Sequence, residues 1–129
     1  MSAERDLGVL LRAAEPAIVH PEVVLTTVQD PTGLPALATV LEDEGVTVVL
    51  RRDDAERLGI GFDWVGAWIT LHVRSALDAV GLTAAVSTAL TAAGISCNVL
   101  AGHHHDHLLV PADRAGEAVA LLASLGNAD

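Results

Sequence analysis

The sequence predicts an α+β fold with antiparallel sheets, and three observations support this class. The 129 residues are 51% hydrophobic but only 2% aromatic, so Val, Leu, Ile and Ala must build the core. A chain of this length makes one domain, or two small halves that share a core. The second half follows the order strand, helix, strand, strand, helix, and the first half supplies three further strands.

The N-terminal region predicts one helix and one strand. Ser2 can cap a short helix, because the apolar residues that follow it are spaced along one helical face. Residues 23–28 are a β-branched run that closes at Asp30 and Pro31. Such a run, ended by turn residues, is typical of a strand.

A hairpin and a brief helix complete the first half. Residues 38–41 and 46–51 are the arms of the hairpin, and the second arm alternates apolar with polar side chains. The helix begins near Asp53 and stops at Gly59. Gly61 and the glycines around it interrupt any regular element, so we divide the chain there.

The division gives an N-terminal half, residues 1–61, and a C-terminal half, residues 62–129. The C-terminal half opens with a strand, residues 67–73, that places Trp68, Thr70 and His72 on one face and apolar residues on the other.

The remaining elements of the second half alternate helix and hairpin. Residues 82–93 have the apolar spacing of an amphipathic helix that ends at Gly94. Residues 95–100 and 105–110 predict a hairpin, and Pro111 predicts the opening of a last helix.

Charge and composition exclude several classes of partner. The net charge is −10, from 17 acidic and 7 basic residues, and such a surface repels nucleic acid. No apolar run approaches the roughly 20 residues of a membrane span, and the N-terminus does not resemble a signal peptide. The single cysteine, Cys97, excludes an internal disulfide and fits the reducing cytoplasm. We therefore expect a cytoplasmic protein that binds neither nucleic acid nor membrane.

Four segments carry a family resemblance: residues 78–84 (DAVGLTA), 95–99 (ISCNV), the strand 105–111 that begins His-Asp-His, and residues 42–50 (EDEGVTVVL). Together they resemble small stand-alone ACT-domain proteins, which are similar to the tandem ACT regulatory region of aspartate kinases. The likeness covers most of the chain from about Leu41 onward and is weaker before it.

The resemblance implies ferredoxin-like βαββαβ units, used in pairs, that bind an amino acid at an interface without catalysis. We expect no cofactor. We expect a homodimer. His103 and His104 depart from the family pattern, because relatives tend to carry aromatic residues there. An ACT unit ends with a strand, whereas this chain ends with a helix. We therefore expect residues 23–28, or a neighbouring first-half strand, to complete the second sheet, so that the halves are interwoven and neither folds alone.

The loop before the helix at residues 82–93 is the candidate ligand site. Free backbone N–H groups at the start of that helix, at Leu82, suit a ligand carboxylate. Gly81 allows close approach to the backbone. Asp78 can pair with an α-ammonium group, and Asn98 can both donate and accept a hydrogen bond. The alternative is that these are turn, capping and core residues with no ligand, in a purely structural partner subunit.

The histidine cluster at residues 103–107 supports a different hypothesis, a small metal-binding protein or metal-dependent enzyme. His105 and His107 share one face of a strand and could chelate zinc, with His72 or Asp63 as a third ligand. The alternative is a strand whose polar residues are solvated beside a turn. Crowded imidazoles would also make this segment sensitive to pH.

Overall fold

Six strands form one antiparallel sheet in the computed structural model, which describes residues 6–73 and 80–125. The strands are β1 (Pro16–Val28), β2 (Ala38–Glu42), β3 (Gly45–Arg51), β4 (Val65–Leu71), β5 (Asn98–Ala101) and β6 (Asp106–Pro111). They lie in the order β2-β3-β1-β4-β6-β5, and every neighbouring pair is antiparallel.

In the described ranges, four α-helices accompany the sheet: α1 (Leu7–Arg12), α2 (Arg52–Arg57), α3 (Leu82–Ala92) and α4 (Ala115–Ser124). Asp6 caps α1 by accepting a hydrogen bond from the backbone N–H of Val9 at 3.0 Å, while the predicted cap, Ser2, lies outside the described residues. The fold confirms the α+β prediction. Within the described residues, no helix is long and apolar enough to cross a membrane.

Pro111 has a different role from the one predicted. It is the last residue of β6, and a 3-10 turn at Ala112–Arg114 separates it from α4. The fixed φ of proline suits the end of a strand as well as the start of a helix, so the sequence pattern did not distinguish them.

The long strand β1 joins the two halves of the chain. Its C-terminal part, residues 23–28, pairs with β3, while residues 16–24 pair with β4 of the second half. The register shifts twice between Ile18 and Val23, around Pro21, which has no N–H to donate to a ladder. Four strands, in the order β1-β4-β6-β5, therefore form one ferredoxin-like sheet with a first-half strand at its side.

The main core lies between the sheet and the helices. Ala67, Ile69 and Leu71 of β4 alternate toward α3 and α4, where they meet the buried Leu90 and Leu122. The core of the first half lies on the same side of the sheet, beneath α2, where Ala55 packs on the strand residues Val24, Val46, Val48 and Leu50.

The opposite side of the sheet, which we call the open face, has its own small cluster. Val23, Val49, Trp68 and Leu109 are buried there, with Trp64 packed against them. Gly66 lies beneath the Trp64 ring, and a Cβ added at Gly66 would overlap that ring. Both tryptophans of the chain thus lie on the open face.

Candidate ligand site and histidine cluster

Gly81 and Leu82 form the start of α3, as the sequence predicted. Gly81 has φ of +102°, a conformation that favours glycine, and an added Cβ would lie 3.1 Å from Cδ2 of Leu7 in α1. Leu82 is 4% exposed and belongs to the main core. Gly81 has no side chain to cap the helix, so the first-turn N–H groups of α3 receive no side-chain cap from it.

Asp78 lies outside the described residues, as do the neighbouring Arg74 and Ser75. Its pairing with a ligand ammonium group therefore stays a prediction.

Asn98 lies away from the start of α3. It is the first residue of the edge strand β5, is exposed, and pairs with Leu109 of β6. Paired residues of neighbouring strands point to the same face, and Leu109 is part of the open-face cluster. The Asn98 side chain therefore lies on the open face, whereas Leu82 and α3 lie on the helix side.

A groove of about 510 Å³ lies at the register shift of β1, against the start of α2. Arg52 lines it and forms ion pairs with Glu22 at 2.8 Å and with Glu56 at 3.3 Å. The groove combines guanidinium and carboxylate groups, which suit a zwitterion. It is lined by Val19, His20, Pro21, Glu22, Arg51, Arg52, Asp53 and Glu56. The two walls of the groove are 30 residues apart in sequence at Glu22 and Arg52, so local patterns did not indicate it. Pro21 within the strand is a local signal of a bulge.

His72, His105 and His107 each contact a different oxygen atom, and the His72 and His105 rings lie 5.9 Å apart. Nδ1 of His105 lies 3.3 Å from the carbonyl oxygen of Val73, and Nδ1 of His72 lies 3.3 Å from that of Glu15. His107 contacts Thr70 through its own Nδ1. In the part of the chain that the structure describes, no three His, Cys, Asp or Glu side chains are grouped to hold a metal ion. The zinc hypothesis, with His72 or Asp63 as third ligand, gains no support from this arrangement.

A hydrogen-bond chain runs from the buried Trp68 through the buried Thr70 to the half-buried His107. Nε1 of Trp68 donates to Oγ1 of Thr70 at 3.0 Å, and Oγ1 lies 3.0 Å from Nδ1 of His107. The Trp68 and His107 rings are 5.1 Å apart. Burial lowers the pKa of His107 below 6.5, and the nearby His105 lowers it further, while Asp106 opposes the change.

Models of the ACT domain match both halves of the sequence, over residues 2–66 and residues 65–124. The strand order and the helices agree with this fold. The chain therefore belongs to the ACT-domain family, as a small protein with two ACT domains in tandem. The resemblance inferred from the sequence is confirmed.

Solved structures include several similar folds. A protein of unknown function from Vibrio cholerae, described as a possible transport protein, is 39% identical, with a TM-score of 0.81 over 90% of this chain and 92% of that chain. The ligand-free regulatory subunit of aspartate kinase from Thermus thermophilus is 10% identical, with a TM-score of 0.65 over 88% and 97%. The aspartokinase alpha and beta subunits are 12% identical, with a TM-score of 0.66 over 90% and 99%. Among curated proteins, no sequence matches the chain.

Proposed function

We propose that the protein is a non-catalytic regulatory module whose small-molecule ligand is an amino acid. ACT domains are typically regulatory modules that bind small molecules, and both halves of the chain match the ACT domain. That double match is the observation that carries the proposal. The shared fold with the regulatory subunit of an aspartate kinase is consistent with it.

The ligand site that we propose is the start of α3. The N–H groups of the first turn, which no side chain of the described residues caps, bind the ligand carboxylate, and Gly81 lets the ligand approach the backbone. Asp78 binds the α-ammonium group. Because Asn98 lies on the opposite face at a free sheet edge, we propose that it is supplied by the second chain of a homodimer.

We also propose that the division near residue 62 separates two units that do not fold independently, because β1 pairs with strands of both halves.

Cytoplasmic location is part of the proposal. Cys97 is a free thiol, half-buried, and burial raises its pKa, which keeps it protonated and unreactive at neutral pH.

Thermal unfolding of the full chain in the presence of each of the twenty amino acids tests the proposal. A ligand at 100 times its Kd adds about 2.7 kcal/mol to the free energy of unfolding, which raises Tm by several degrees. We expect Asp78→Ala to lose this shift and Glu22→Gln, in the groove, to keep it. The reverse result would move the site to the groove. If none of the twenty amino acids raises Tm, the proposal that the ligand is an amino acid is contradicted.

A further inference from the structure

The hydrogen-bond chain on the open face depends on the protonation state of His107. The indole N–H of Trp68 can only donate, so Thr70 Oγ1 must accept it. Trp68 is 8% exposed and Thr70 is 5% exposed, so water does not readily replace these partners. The Thr70 hydroxyl then has one proton left to donate, and Nδ1 of His107 lies 3.0 Å away.

The hydrogen-bond chain is complete only when Nδ1 of His107 carries no proton. In that neutral form Nδ1 accepts from Thr70, and Nε2 carries the ring proton. If Nδ1 is protonated, Thr70 Oγ1 must accept from both rings, and its own proton loses its acceptor. Among the hydrogen bonds of the described residues, Thr70 Oγ1 has no other side-chain partner. A buried hydroxyl without an acceptor destabilises the structure.

Several titratable groups lie around the hydrogen-bond chain. His105 and Asp106 are its neighbours in sequence, and His72 follows β4. His20 of β1 meets the edge of Trp68, with ring centroids 5.9 Å apart. The facing residue of β5 carries no charge, since His107 pairs with Leu100 there. Of these groups, His105 and His72 disfavour a proton on His107, whereas Asp106 favours one.

We propose that His107 is a pH-sensitive switch for the open face: its protonation breaks the hydrogen bond from Thr70 and releases Trp68 from its fixed position. The open face also carries Asn98, but the switch does not depend on the proposed amino-acid site at the start of α3.

The sign of the effect follows from the lowered pKa of His107. Neutral His107 contributes stability that is complete above about pH 6.5, the value for an unperturbed histidine. That contribution is lost as pH falls below 6.5 and through the lower folded-state pKa.

NMR of the full-length chain tests the switch. The indole N–H resonance of Trp68, identified with a Trp64→Phe variant, and the ring nitrogens of His107 are followed from about pH 8 to about pH 4.5, a range that spans histidine titration. We expect the Nε2–H tautomer at neutral pH, and a shift of the Trp68 resonance with a midpoint below 6.5 that coincides with the His107 titration.

Two variants provide the controls. His107→Asn keeps an acceptor close to Nδ1 but does not titrate, so the Trp68 transition should disappear. His103→Asn, on the exposed turn where His103 stacks on His104, should keep it. If the His107→Asn variant fails to fold, the His107 tautomer and the midpoint of the Trp68 shift, both measured in the wild-type protein, still test the proposal. The Nδ1–H tautomer, a midpoint at or above 6.5, or a transition that persists in His107→Asn would overturn the proposal.

Discussion

Val23 of the first half lies directly opposite Gly66 of the second half, in neighbouring antiparallel strands. Val23 also pairs with Arg51 of β3, so this one residue connects the two halves of the sheet. It is fully buried on the open face beside Trp68. The two ACT domains are therefore continuous through β1, and this continuity has consequences for stability.

The isolated C-terminal half should not fold. A fragment of residues 62–129 lacks β1 and leaves the pairing edge of β4 exposed, together with apolar residues that β1 covers. We expect it to unfold without cooperativity when circular dichroism is followed against temperature, while the full chain gives a single transition. A stable fragment with a cooperative transition would show that the halves are independent.

Gly66→Ala should destabilise the protein. The new Cβ overlaps the Trp64 ring and approaches the carbonyl oxygen of Val110 to 2.9 Å. Overpacking of this kind costs about 1–3 kcal/mol, measured as a shift in urea unfolding. Gly61→Ala is the matched control, because nothing lies within 4 Å of its added Cβ. Equal stability of the two variants would mean that Trp64 does not pack on Gly66.

Asp54 should contribute stability at neutral pH that is lost in acid. Hydrogen bonds from Arg57 and Arg51, each 3.1 Å long, lower the pKa of Asp54 below 3.8. A lowered folded-state pKa means that the contribution is complete above about pH 3.8 and disappears as pH falls through the lower value. Asp54→Asn should therefore be less stable than wild type at pH 7, with the difference vanishing at low pH.

The control for that comparison is Asp43→Asn, which alters an exposed turn. It should match wild type in urea unfolding at neutral pH. The free energy of unfolding of Asp54→Asn and of wild type could instead differ by the same amount at pH 7 and at low pH. That result would mean that the ion pairs of Asp54 do not cause the difference.

Local patterns predicted most of the elements. The hairpin of β2 and β3, the helix α3 and the faces of β4 followed from alternation, helical spacing and glycine stops, which are properties of neighbouring residues. The extension of β1 back to Pro16 was missed, because Pro21 interrupts the β-branched run and the strand continues only through a shifted register.

The spacing of neighbouring residues in the sequence did not predict where the site residues lie relative to one another. Asn98 and Gly81 flank the same helix in sequence, so they were grouped together. The register of β5 on β6 places Asn98 on the open face, and α3 packs on the other side. The Thr70 partner of His107 likewise comes from β4, 37 residues away. Such contacts are set by strand pairing across the sheet.

Calorimetric titration of the full-length chain with each amino acid tests the central claim most directly. We predict a saturable heat of binding for at least one amino acid, lost when its carboxylate is converted to an amide, because the N–H groups at the start of α3 bind that carboxylate. The absence of saturable heat for all twenty amino acids would contradict the account.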